Sequence, residues 1–380
     1  MRKMRLMTPG PVDVPPETLL EMARPVFHHR TADFQKLFQE ATDLLKQVFR
    51  TKNDVITFTS SGTGAMEASM VNVVASGEKA LFVNAGKFGE RWGEIGRAFG
   101  LEAVEIKVPY GKAPNPADIE KALRADPKIA AVYTTLCETS TGVVSDIAAI
   151  GRIVRQSNAL LVVDGISSVG AIPMETDAWG VDMLVVGSQK ALMIPPGLAF
   201  LSVSAKAWEK VQQTRSPSYY FCLKAAKKAL EKNDTPYTPA ISLIVGLKRS
   251  LEMMVAEGIE NVWRRHHLLA EAVRAGVKAL GLELFAESPS DSITAVKAPQ
   301  GIDSEQIPKK MSAYGVKITG GQSEMKGKIF RIGHMGYVDK VDIIGVLAAL
   351  EMSLNDLGVT VELGAALRAA ERVFLSQKSS

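Results

Sequence analysis

The stretch ALLVVDGISSVGA at 159–171, continued by VDMLVVGSQKALMIPPGLAFLSVS at 181–204, decides the fold. ALLVVD, DMLVVG and LAFLSVS are short, almost continuously apolar runs rich in Val and Leu, the pattern of strands buried on both faces. Toward the N-terminus, VITFTS (55–60), ALFVNA (80–85), EAVEIKV (102–108) and AAVYTTL (130–136) read as further strands. Helical stretches lie between them. Asn115-Pro116 before ADIEKAL reads as an N-cap with proline at the first helical position, and Ser145-Asp146 opens IAAIGRIVRQ. Strands alternating with helices predict an α/β fold with a mostly parallel sheet covered on both sides. Such sheets bind ligands beyond the carboxyl ends of their strands, so the chemistry is sought there.

Past residue 205 helical patterns dominate, over 206–214, 218–232, 241–257 and 260–280. Short strands follow at 292–298, 315–319 and 328–333, then helices at 339–357 and 359–375. This predicts a smaller α+β domain at the C-terminal end. The expected organisation is an arm over 1–20, extended by Pro9, Pro11, Pro15 and Pro16, a large α/β domain over 21–255 and a small domain over 256–380.

Asp164 ends a buried strand, where a carboxylate is costly without a partner. Lys190 lies just beyond the end of the next strand, and a sheltered lysine becomes a nucleophile toward aldehydes. A buried acid with a Schiff-base lysine is the pairing pyridoxal phosphate needs: the acid keeps the pyridine nitrogen protonated and the lysine anchors the aldehyde. Read alone, Asp164 also suits a helix cap and Lys190 a solvated loop. In TFTSSGTGAMEASM (57–70) a strand, a Ser/Gly/Thr turn and a helix follow one another, aiming Ser61, Gly62, Thr63 and Gly64 at an anion on the helix N-terminus. It is not a dinucleotide fingerprint, since Glu67 stands at the third glycine position, and a plain N-cap remains the alternative.

Composition narrows the classes. The chain has 380 residues, 46% hydrophobic and 23% charged, more than one core comfortably holds. A net charge of +4, from 45 basic and 41 acidic residues without a long basic run, gives no expectation of nucleic acid or membrane binding. Cys137 and Cys222 are too few for a disulfide framework, and the five histidines form no ligand spacing, so no metal is expected. The start, MRKMRLMTPGPVDVPP, has prolines soon after its charges and no apolar run, so no signal peptide is expected, and a cytoplasmic protein is.

Taken together, DGISSVGA and VDMLVVGSQKALMIPPGLAFLSVS resemble the class V aminotransferases of fold type I, and among them the serine–pyruvate and alanine–glyoxylate aminotransferases. TPGPVDVPP, SSGTGAMEASM, NAGKFGERW, CETSTGVV, TPYTPAISLIVGL, EGIENVWRRH and FRIGHMG extend the resemblance in order along nearly the whole chain. It implies a pyridoxal 5'-phosphate enzyme in which Lys190 forms the Schiff base and shuttles the proton, while Asp164 bonds the pyridinium nitrogen. Ser61, Gly62, Thr63 and Gln189 would hold the phosphate, Phe88 and Ile166 would pack on the ring faces, and Thr139 would bond near the ring. Phe88 departs from the larger aromatic of close relatives and offers a smaller face. Arg331 would clamp the substrate carboxylate, and Gly10, in TPGP, would line the entrance. Tyr237 and Thr238 would reach the phosphate of a partner subunit, making the site the property of a homodimer.

The reaction so implied moves an amino group from serine or alanine to glyoxylate or pyruvate. Two competitors stand beside it: an aminotransferase or lyase for phosphonate or purine-derived substrates on the same scaffold, and a non-catalytic scaffold subunit. Neither cysteine lies beyond residue 300, where class V cysteine desulfurases keep theirs, and Cys137 reads as a buried, inert thiol.

Overall fold

The computed structural model describes residues 4–376 except Ser216. Its centre is a seven-stranded sheet built from β1 (Asp54–Phe58), β2 (Lys79–Asn84), β3 (Glu102–Lys107), β4 (Ile129–Thr135), β5 (Leu160–Asp164), β6 (Met183–Gly187) and β7 (Ala199–Val203), in the order β1-β7-β6-β5-β4-β2-β3. All seven are the runs read as strands from the sequence. Only β7 runs antiparallel to its neighbours. The period-two alternation divides each strand between two cores. Val55, Leu81, Val83, Val132, Leu161, Val163, Leu184 and Val186 face one, and Ile56, Phe58, Phe82, Tyr133, Val162 and Val185 face the other.

The helices Ala32–Phe49 and Ile241–Glu257 cover the first face, and Gly62–Val71 and Lys87–Ala98 the second. Asn115 and Asp146 cap their helices as the sequence predicts, their side chains accepting from Ala117 N and Ala149 N. A third core forms around a three-stranded sheet, β8 (Ile293–Lys297), β9 (Thr319–Gly320) and β10 (Ile329–Gly333), in the order β8-β10-β9. The helices Ile259–Ala279, Gln306–Ala313, Lys340–Asp356 and Ala365–Ser376 pack on it.

Four segments differ from their sequence reading. The run 315–319 splits into Val316–Lys317, paired with the arm, and Thr319–Gly320 in the small sheet. The N-terminal arm is extended only to Pro15; Pro16 then opens the helix Pro16–Met22. The segment 218–232 becomes helical only from Leu223, because Phe221 packs edge-on against Phe58 while Tyr219 stays exposed. The last helix starts at Ala365 and not at 359, held by the buried Glu351 carboxylate, which accepts from Gly364 N and Ala366 N at 2.8 Å each.

The arm ties the parts together. Arg5–Leu6 pairs in parallel with Val316–Lys317, Gly333 N donates to Met7 O at 2.8 Å, and Val12 N donates to Gln189 O at 3.3 Å. A single extended segment thus runs from the end of β10 to the residue before Lys190.

Candidate active site

The parallel strands end on one edge of the sheet. Asp164 is in register with Thr135 and Val185, and Ala199 at the start of β7 pairs with both Phe58 and Gly187. The turns leaving β1, β2, β4, β5 and β6 therefore open on the same side, carrying Ser61–Thr63, Phe88, Thr139, Ile166 and Gln189–Lys190.

Asp164 is buried at the tip of β5. Its Oδ1 accepts from Ile166 N at 2.8 Å, and Oδ2 has no hydrogen bond among the described residues. Burial pushes its carboxyl up to about 7, against the opposing pull of the Ile166 amide. Lys190 Nζ donates to the Pro9 carbonyl at 2.5 Å. Burial lowers its ammonium to about 8, with Asp164 opposing and Arg331 reinforcing the shift. Gly10, at φ +109°, lies flat against this side chain: a Cβ there would stand 2.4–2.7 Å from Lys190 Cδ, Nζ and Cε.

The turn after β1 presents an open helix start. Ser61 is the N-cap of Gly62–Val71, yet its side chain bonds none of the first amides. Gly62 faces Ile166, where an added Cβ would lie 2.5 Å from Ile166 Cδ1. Gln189 keeps its Oε1 buried without a partner. A primary amide carries a donor nitrogen beside its acceptor oxygen, so a half-turn of this side chain presents a donor. An uncapped helix start, an unpartnered buried amide and a glycine with no room for a side chain fit a phosphate. The free Asp164 oxygen and the depressed Lys190 amine fit the ring and aldehyde of pyridoxal phosphate.

Arg331 lies in the middle of β10 and is buried. Nε donates to Gly320 O at 2.9 Å, and Nη1 to Thr139 O at 3.0 Å and Gln322 Oε1 at 3.3 Å. All three acceptors are neutral, and among the described residues no carboxylate lies within ion-pair distance. Burial lowers its guanidinium to about 10, still charged at neutral pH. Thr139 also donates Oγ1–H to Ser167 Oγ at 2.6 Å.

Phe88 sits at the start of Lys87–Ala98 with Arg91 over its ring, Cζ 4.9 Å from the centroid. Tyr237 and Thr238 fall elsewhere in the chain: Tyr237 stacks on Tyr220 at 5.1 Å and donates Oη–H to Tyr219 O, while their neighbours Tyr220 and Ala240 tie to the end of β1, through Tyr220 Oη to Thr59 O and Ala240 N to Thr59 Oγ1. They make no bond to Lys190, Asp164 or Arg331. Cys137 is buried 3.7 Å from Ser292 Oγ, and burial raises its thiol to about 11, leaving it unreactive. Glu138, Ser167 and Gln322 are drawn into the cluster without any sequence signal of their own. A buried glutamate between a cysteine and a threonine at a strand end is visible only in three dimensions.

A doubly wound sheet with a lysine and an acid at neighbouring strand ends defines a fold type I enzyme of pyridoxal phosphate. The chain belongs to the class-V aminotransferases, whose family model matches residues 20–338. It is a pyridoxal-phosphate-dependent aminotransferase, acting on amino and keto acids. A relative from Synechococcus sp. (strain PCC 6716), called soluble hydrogenase, small subunit, is 43% identical over 98% of both chains. That name speaks of that protein; the family model and the site carry the assignment here. The serine–glyoxylate aminotransferase of Methylorubrum extorquens is 38% identical, over 96% of this chain and 94% of that one. The crystal structure of ureidoglycine–glyoxylate aminotransferase from Bacillus subtilis superposes with a TM-score of 0.94 at 30% identity, covering 98% of each chain. No helix among the described residues is long and apolar enough to cross a membrane.

Proposed function

We propose that this aminotransferase takes the amino group of a small L-amino acid, serine or alanine, and passes it to glyoxylate or pyruvate in ping-pong half-reactions. The observation that carries the reading is Arg331: a buried guanidinium whose hydrogen-bond partners among the described residues are all neutral oxygens, with its charge felt at Lys190. A carboxylate is the ligand such a group lacks, and donor and acceptor both have one. Glyoxylate is the acceptor named for both the Methylorubrum relative and the Bacillus neighbour, whose donors differ.

Pyridoxal phosphate, when bound, supplies the electron sink that stabilises negative charge at the substrate α-carbon. The uncapped amides after Ser61, with Gly62, Thr63 and Gln189, are proposed to hold its phosphate. Phe88 and Ile166 are proposed to flank the ring, and Asp164 and Thr139 to orient it. Lys190 Nζ, held by the Pro9 carbonyl and depressed to about 8, has a neutral fraction near neutral pH and takes up and returns the α-proton. Gly10 leaves space for that motion at the entrance.

A homodimer and a cytoplasmic location belong to this reading. The dimer is supported by a groove of about 880 Å³ between Pro16–Met22, Ala32–Phe49 and Ile241–Glu257, flanked by Leu20 and Val26, which are 71% and 69% exposed. Tyr237 and Thr238, away from Lys190 in their own chain, are proposed to serve the partner's site. The free thiols of Cys137 and Cys222 suit a reducing compartment. A second reading keeps the chemistry and replaces the donor with a purine-derived one; the Bacillus neighbour favours it. Steady-state kinetics of Arg331→Ala test the carboxylate assignment. KM is expected to rise roughly 10–100-fold for donor and acceptor alike, the equivalent of one charge-assisted hydrogen bond of about 1.5–3 kcal/mol. A change confined to one substrate would mean that Arg331 reads a side chain.

A further inference from the structure

Glu138 is the most buried acid beside the site, 1% exposed, and it is joined to the site from two directions. From the helix Lys87–Ala98, Phe88 N donates to Oε1 and Oε2 at 3.3 and 3.1 Å, and Gly89 N to Oε2 at 2.9 Å. From its own segment, Ser140 N and Ser140 Oγ donate to Oε1 at 3.1 and 2.5 Å. Gly86 closes the space behind: a Cβ there would lie 2.6 Å from Glu138 Cδ. The carboxylate therefore cannot slide, and each hydrogen-bond partner of its oxygens among the described residues is a donor.

That donor set explains why the residue is an acid. Both oxygens accept, which a carboxylate satisfies at each end and an amide, whose nitrogen only donates, cannot. Burial pushes its pKa up; the four donors oppose that, and the helix start adds its positive end. What the carboxylate joins is specific. One side fixes the backbone of Phe88. The other fixes the turn whose next residue, Thr139, gives its carbonyl to Arg331 and its hydroxyl to Ser167.

We infer that Glu138 is a positioning residue of this active site, setting the Phe88 ring and the Thr139–Ser140 turn in fixed relation so that ring platform and carboxylate clamp stay in register. The inference rests on the reading of Phe88 as a cofactor-facing ring. The test compares Glu138→Gln and Ser140→Ala with the unaltered protein. The readouts are pyridoxal phosphate Kd of the apo-protein by tryptophan fluorescence, amide exchange over 86–92 with and without cofactor, visible circular dichroism of the bound cofactor, and Tm.

For Glu138→Gln the expected result is a cofactor Kd raised about tenfold or more, exchange at Phe88 and Gly89 faster by a similar factor, and a weaker circular dichroism band. Ser140→Ala, which keeps the charge, is expected to move all three in the same direction by less. A fall in Tm with Kd and dichroism unchanged would reduce Glu138 to a packing residue and overturn the inference. If Glu138→Gln fails to fold, Ser140→Ala decides, and an unchanged cofactor Kd contradicts the proposal. Arg331→Ala separates the two levels. A raised KM in that variant, beside an unmoved cofactor Kd in Glu138→Gln, leaves the function standing and removes the positioning role alone.

Discussion

Lys190 and Asp164 are both taken out of water, and each is thereby pushed toward its neutral form. For Lys190 the consequence is kinetic. An amine of pKa about 8 gains neutral fraction roughly tenfold per pH unit below that value and saturates above it. Capture of pyridoxal phosphate by the apo-protein is expected to follow this curve in stopped-flow absorbance; a rate still climbing past pH 10 would assign an ordinary solvated lysine. For Asp164 the consequence is stability. The folded carboxyl titrates near 7 and the unfolded one near 3.8, so between those values the native apo-protein binds more protons than the unfolded chain. The Asp164 contribution to apo-protein stability is then greatest below about pH 4, falls as pH rises from about 4 to 7, and levels above. Asp164→Asn is expected to remove that slope in denaturant titrations run across the window. In the same variant the cofactor should still bind, while turnover drops roughly 10–100-fold through the lost charged hydrogen bond. Both residues were legible as residues in the sequence, because a polar group ending an apolar run stands out. Their protonation was not, since it depends on how completely the arm and β10 cover them.

At the scale of elements, the strands were legible because burial on both faces leaves unbroken apolar runs, as in LLVVD and MLVVG. Helices were read less evenly. Ala32–Phe49 buries Phe34, Phe38, Ala41, Leu45, Val48 and Phe49 at helical spacing behind an N-cap at Thr31, yet it follows the proline-rich arm, whose pattern reads as extended. Glu138 and Gln322 were invisible because their partners lie in segments remote in sequence. The arm supplies the test at this level. Gly10→Ala places a methyl within 2.4–2.7 Å of the Lys190 side chain at a φ that L-residues avoid. Such strain costs on the order of 1–3 kcal/mol. Turnover and the rate of cofactor capture are expected to fall tenfold or more as the lysine is displaced, with Tm lowered by only a few degrees. An alanine variant of full activity would show that the arm does not govern Lys190.

The whole molecule is organised around one continuous arm joining β10 to the lysine segment, and around a groove lined by both charged and apolar side chains that the chain leaves open. Sedimentation velocity is expected to find a dimer, and Leu20→Glu in the groove wall to shift it toward monomer with loss of turnover. An active monomer would contradict a site shared between subunits. The central claim is tested most directly by the visible absorption of the purified protein loaded with pyridoxal phosphate, recorded before and after L-serine, L-alanine, glycine and L-aspartate are added separately. The account predicts a yellow protein bleached by serine or alanine, with the colour restored by glyoxylate or pyruvate. A protein that stays yellow with all four would move the donor to another class, and one that takes up no cofactor at all would contradict the account.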